Sequence, residues 1–223
     1  MSRCLLFGLL LCSTLATAAD PAAKGEIKTQ LSAIEKNLSD WKIEDAQRGL
    51  DALEASLPTG LHNLEPVHYF RGRVLFEQGK YTEAIEQFKK AGIEDNPGSY
   101  LRLAQETQAV VGAHQKAESA HFVFLFPEGK DAVLVPYALE ALEAIRTALE
   151  NDFGYVPPGK VRVEVVSNAA QLSKVSTLTR EQIRTTGTIA ICKFNKLMVT
   201  SPKAVIRGYD WLDTLAHEYV HLV

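Results

Sequence analysis

The chain has 223 residues and a formal net charge of −3 at neutral pH, with 46% hydrophobic and 23% charged residues. That length serves one large domain or two small ones, each able to bury a core, and the ordinary apolar content excludes a disordered chain. The mild acidity excludes the basic stripe that nucleic-acid binding demands, so no nucleic-acid partner is expected.

Met1-Ser2-Arg3 is a short basic start, Cys4 to Leu15 an almost unbroken apolar run, and Ala16-Thr17-Ala18 an A-x-A cleavage pattern. Together they predict a secretory signal peptide over residues 1–19, the run being too short to span a bilayer. The mature chain is then expected to begin near Ala19 or Asp20. It would be soluble, exported to the periplasm or secreted, and without a membrane span. Cys4 and Cys12 leave with the signal, so Cys192 remains with no partner for a disulfide. Within the apolar run Thr188–Cys192 it reads as a buried small hydrophobe.

From about Lys24 to Val111 the apolar spacing is helical. Tyr69 to Ala91, followed by Pro97, reads as two short antiparallel helices. Gly72 and Ala84 allow close approach, Gly79 makes the turn, and Tyr81, Phe88 and Ala91 fill the space between. This stretch resembles a tetratricopeptide repeat over one full unit. Trp41, Ala46, Leu50, Leu53 and Pro58 form an earlier, more degenerate copy, with Ala46 lying 38 residues before Ala84 (84 − 46). Extra residues are expected between Thr59 and Pro66. Ser99 to Val111 reads as a helix that closes the stack, because a single repeat cannot bury its own face. The repeat region is placed at 20–115.

Strand-like runs follow. His121–Phe126 suits a strand buried on both faces. Pro136 to Glu150 carries strong helix formers, with Pro136 in the first turn and Gly154 at the stop. Lys160–Val166 alternates apolar and charged residues and reads as a half-exposed strand. Ala169 to Arg184 reads as one or two short helices, and 188–192 and 197–200 as a hairpin joined through Asn195-Lys196. Asp210 can cap a last helix that runs from Trp211 to the end, with Asp213 near its third position. The fold class is therefore α+β, an all-α repeat array followed by a sheet with helices.

The last helix carries the chemistry. His217 and His221 are four residues apart, so both imidazoles share one face and can close on a single Zn²⁺. Glu218 is placed to take a proton from a metal-activated water attacking a carbonyl, and to pass it to the leaving amine. The spacing is the H-E-x-x-H signature. Leu212, Leu215, Ala216, Tyr219, Val220, Leu222 and Val223 make the helix apolar on most sides, which predicts a buried helix whose histidines and Glu218 need partners. His62, His68, His114 and His121 lack ligand spacing and read as solvated or hydrogen-bonded residues.

The order of elements ending in Ala216-His217-Glu218-Tyr219-Val220-His221 resembles the zincin-like domain of the gluzincin clan, in particular exported bacterial proteins with a peptidase MA-like domain. The resemblance covers about 119–223. It implies an exported zinc metallopeptidase, with His217 and His221 as zinc ligands, Glu218 as catalytic base and a peptide or protein substrate. It also implies that the edge of the 188–200 hairpin lines the cleft. Gluzincins take a third ligand, a Glu, and an oxyanion-steadying Tyr or His from further along the chain. The domain is accordingly expected to be incomplete at Val223, and the chain as given need not be active. The alternative is a periplasmic interaction protein whose repeats bind a partner while the second half is a non-catalytic scaffold.

Overall fold

A computed structural model describes residues 21–58, 61 and 63–223; the expected signal peptide over 1–19 and His62 lie outside the described residues. The described residues divide into two compact units, with the division between Ala104 and Gln105.

The first unit is helical. It holds α1 (Pro21–Ser39), α2 (Ile43–Ser56), α3 (Glu65–Glu77), α4 (Tyr81–Lys90) and the start of α5 (Tyr100–Val111). The helices pair as two hairpins, α1 with α2 and α3 with α4. Gly79 closes the second turn in the left-handed region, at φ 74°. Trp41 does the same at φ 55° in the first. Trp41 was read as a member of the earlier, degenerate repeat copy. It stands 38 residues before Gly79 (79 − 41), at the same turn position.

That offset continues through the core. Ile34, Leu38, Ala46, Leu50 and Leu53 are buried, and so are Phe76, Ala84, Phe88 and Ala91 in the second copy. Gly72 sits where Ile34 does in the first copy, and a β-carbon there would come within 2.6 Å of the Phe88 ring. Phe88 is fully buried because Gly72 leaves it room. Tyr100 seals the far side, its ring 5.8 Å from Phe88, 6.0 Å from Phe76 and 6.1 Å from Tyr69. Arg73 lies 4.3 Å over the Tyr100 ring, a cation–π contact that suits a guanidinium with few water neighbours.

The second unit is built on a five-stranded mixed sheet ordered β1-β2-β3-β5-β4: β1 (Gln115–Glu118), β2 (Phe122–Phe126), β3 (Val161–Val166), β4 (Ala190–Lys193) and β5 (Lys196–Thr200). β2 runs parallel to β3 and β3 to β5, while β1 and β4 are antiparallel edges. β1 occupies residues read from sequence as the boundary between regions. α6 (Val135–Phe153) crosses from β2 to β3, starting with Pro136 in its first turn and ending at left-handed Gly154. Between β3 and β4 stand two short helices, α7 (Ala169–Val175) and α8 (Arg180–Thr186). Asn168 caps α7 by accepting from Gln171 N, and Thr179 and Gln182 form a reciprocal capping box on α8.

Strand alternation sorts the two faces. Phe122, Phe124, Val161, Val163, Val165, Leu197 and Val199 share one face and are buried. β2 is therefore buried on that face only, with Val123 and Leu125 half-exposed on the other. This corrects the expectation of a strand buried on both sides. β3 departs in the opposite direction. Its Glu164, expected at a half-exposed position, is fully buried, and its carboxylate accepts from Lys196 Nζ at 2.7 Å. The hairpin turn is Phe194-Asn195, both left-handed at φ 58° and 53°, one residue earlier than expected. Lys196 thereby enters β5 and reaches Glu164.

Candidate metal centre

α9 (Trp211–Val220) lies on the phenylalanine face of the sheet. Asp210 caps it by accepting from Asp213 N at 3.4 Å. Trp211, Leu215, Tyr219 and Leu222 make a buried stripe at helical spacing. The Tyr219 ring packs edge-on against Phe122 at 5.2 Å, and Trp211 against Phe124 at 6.1 Å. Tyr219 is fully buried, with Arg146 at 3.4 Å donating to its hydroxyl. Burial raises the Tyr219 pKa despite that guanidinium.

One stripe suffices to hold the helix. Leu212 and Val220 face solvent, as scattered apolar side chains commonly do. His217 and His221 are also exposed. The expectation of a helix buried nearly all round, with buried histidines, is corrected: only Glu218 of the three motif residues is buried, at 9% exposure.

The motif geometry is compact. His217 Nε2 and His221 Nε2 are 3.2 Å apart, with the rings near perpendicular at 85° and centroids 4.9 Å apart. His221 is the C-cap of α9 but keeps helical backbone angles, so it stays on the face of His217. Two nitrogens at that separation, each about 2.0–2.1 Å from one ion, subtend about 100° there, close to tetrahedral. The donor pair therefore fits zinc. Among the described residues, no group of three His, Cys, Asp or Glu side chains gathers to hold a metal. The Glu218 carboxylate makes no hydrogen bond or ion pair to any described residue.

A groove of ≈ 620 Å³ runs alongside, bounded by Gly187–Ala190 on one side and by Tyr209, Asp210, Asp213, Thr214, His217 and Glu218 on the other. β4 is the outer strand of the sheet, next to α9. Cys192, on β4, is half-buried rather than buried. Burial pushes its thiol up to about 12, and the nearby Glu218 charge adds to the shift. Sequence reading assigned Asp213 to helix capping alone. Its place on the groove follows from the four-residue step to His217, a signal already present in the spacing. Tyr209 and the neighbourhood of Cys192 and Glu218 leave no such trace, because they depend on strand pairing.

The other histidines are spread through both units. His68 Nδ1 meets Gln87 Oε1 at 2.8 Å. His121 Nδ1 meets Glu143 Oε2 at 2.7 Å. His114 is half-buried, which lowers its pKa.

One known family matches part of the first unit. Residues 66–95 match the tetratricopeptide repeat family. This segment is a tetratricopeptide repeat. It covers α3, α4 and the turn after them, the stretch in which Gly72 meets Phe88. Such repeats point to a protein partner. No curated protein and no solved structure matches the chain. No helix among the described residues is long and apolar enough to cross a membrane.

Proposed function

We propose that the chain is an exported zinc-dependent metallopeptidase in which His217 and His221 are metal ligands, Glu218 is the general base, and the tetratricopeptide repeat docks a partner or the substrate. The observation that carries this reading is the 3.2 Å approach of the two Nε2 atoms, with Glu218 of the same helix lining the groove beside His217.

Bound zinc supplies a Lewis acid that polarises a carbonyl and lowers the pKa of water. The chain's own groups do the rest. Glu218 takes the proton of the attacking water and returns it to the departing amine. β4 offers an open edge along which an extended peptide can pair. A third protein ligand is required, and we place it outside the described residues. The zincin-like likeness rests on the order of elements and on the H-E-x-x-H spacing. Export rests on the pattern in residues 1–18, and N-terminal sequencing of the mature protein should find Ala19 or Asp20 first.

The test is zinc content and peptide hydrolysis of the full-length gene product. Wild type should hold one zinc, and His217→Ala and His221→Ala should lose it. Glu218→Gln should retain zinc and lose hydrolysis by about 10²–10⁴-fold. Equal zinc in wild type and His217→Ala overturns the ligand assignment.

A second reading is favoured by the repeat at 66–95 together with the two-ligand motif: a periplasmic interaction protein with a non-catalytic zincin-like scaffold. Under it, Glu218→Gln leaves both partner capture and phenotype unchanged.

A further inference from the structure

The groove beside the motif is strongly one-signed. Its lining includes the carboxylates of Asp210, Asp213 and Glu218, and contains neither Lys nor Arg. First-turn acids complement the helix dipole, and Asp210 is also occupied as the cap. These roles leave two facts over. Asp213 is exposed and has no ion-pair partner among the described residues. Glu218 stands at the eighth position of a ten-residue helix, where the dipole disfavours an anion. It is 9% exposed, lines the same groove, and makes no hydrogen bond or ion pair to any described residue.

Three carboxylates carry −3, and a divalent ion on the neutral imidazoles of His217 and His221 would bring +2. The groove stays net negative, and an acidic third ligand would add to that charge, enough for at least one basic side chain. We propose that this groove selects an extended peptide carrying a Lys or Arg close to the reacting bond, with Asp213 as the main specificity-determining carboxylate and Asp210 assisting it. The inference rests on the metallopeptidase reading and names its substrate class.

Geometry sets the position. Asp213 precedes His217 by four residues on α9, about 6 Å along the helix axis. An extended peptide advances about 3.3 Å per residue. A peptide paired along β4 therefore brings a side chain to Asp213 within about two residues of the bond held near His217 and Glu218. Thr188 and Ile189, which line the same groove as Asp213 and Thr214, supply no opposite charge.

The experiment uses the full chain and a set of quenched fluorescent decapeptides differing only in Lys, Gln or Glu at each position around the cleaved bond. Cleavage gives kcat/KM, and fluorescence anisotropy gives binding to the zinc-free chain. Lys peptides should be favoured over Glu peptides by about tenfold or more in both measurements. Asp213→Asn should reduce that preference to about twofold, and Asp213→Lys should invert it. Because Asp213 is exposed, both variants should fold, with circular dichroism as the check. Equal treatment of Lys and Glu peptides, no peptide binding at all, or a preference untouched by Asp213→Lys overturns the proposal. Absence of zinc and of all cleavage would sink the metallopeptidase reading, while anisotropy still decides the charge preference.

Discussion

Lys196 and Glu164 meet across the parallel strands β5 and β3, Nζ to Oε2 at 2.7 Å, with side chains 1% and 0% exposed. The pair is fully removed from water in the middle of a sheet, where a lone charge is far more costly than a pair.

Glu164→Gln should therefore destabilise the sheet unit by about 3–5 kcal/mol, because it removes the carboxylate charge that faces the buried Lys196 ammonium. The double replacement Glu164→Leu with Lys196→Met should recover most of that loss. Urea unfolding followed by Trp211 fluorescence, in a Trp41→Phe background, measures both. Equal stability of the single and double variants would show that the pair is not coupled.

Glu143 offers a pH handle on the same unit. Partial burial would raise its pKa, but hydrogen bonds from Ser119 Oγ, His121 Nδ1 and His121 N outweigh that and bring it below the ordinary 4.5. A depressed carboxyl contributes stability above its unfolded value and loses it as pH falls through the folded one. Acid unfolding of wild type should thus steepen below pH 4.5. Glu143→Gln should cost about 1–2 kcal/mol at neutral pH and flatten that limb.

The repeat has a steric signature. Gly72→Ala would place a methyl 2.6 Å from the Phe88 ring. The expected cost is about 1–3 kcal/mol of overpacking, only partly offset by the better helix propensity of alanine. Gly49→Ala meets only the Ile34 side chain, Cγ1 at 3.2 Å and Cδ1 at 4.0 Å, and should stay within about 1 kcal/mol of wild type, propensity offsetting the contact. Hydrogen exchange of the α3 and α4 amides should rise for Gly72→Ala alone.

The hairpin turn can be tested at Asn195, which is left-handed at φ 53°. Asn195→Gly should remain within about 0.5 kcal/mol of wild type, and Asn195→Val should lose about 1–2 kcal/mol, because branched residues resist that conformation. Thermal melting distinguishes the two. Equal melting would mean the turn does not hold this conformation.

Local pattern alone specified a good share of the molecule. Gly72, Gly79 and Phe88 announce the helical hairpin because close approach and tight turns admit few residue types. Pro136 and Gly154 mark the ends of α6 for the same reason, and the His217–His221 step places two imidazoles on one face by helix geometry alone. Tertiary structure decided the rest. A charged residue in an alternating strand looks solvated until a partner from another strand reaches it, and Lys196 reaches Glu164 only because the turn falls at Phe194-Asn195. An apolar helix looks buried all round until the sheet takes one stripe, leaving His217 and His221 open and Glu218 enclosed. Helical spacing put the three motif residues together, but their unequal exposure and the acidic groove beside them arose from packing α9 against β4, a contact between residues distant in the chain that no local pattern encodes.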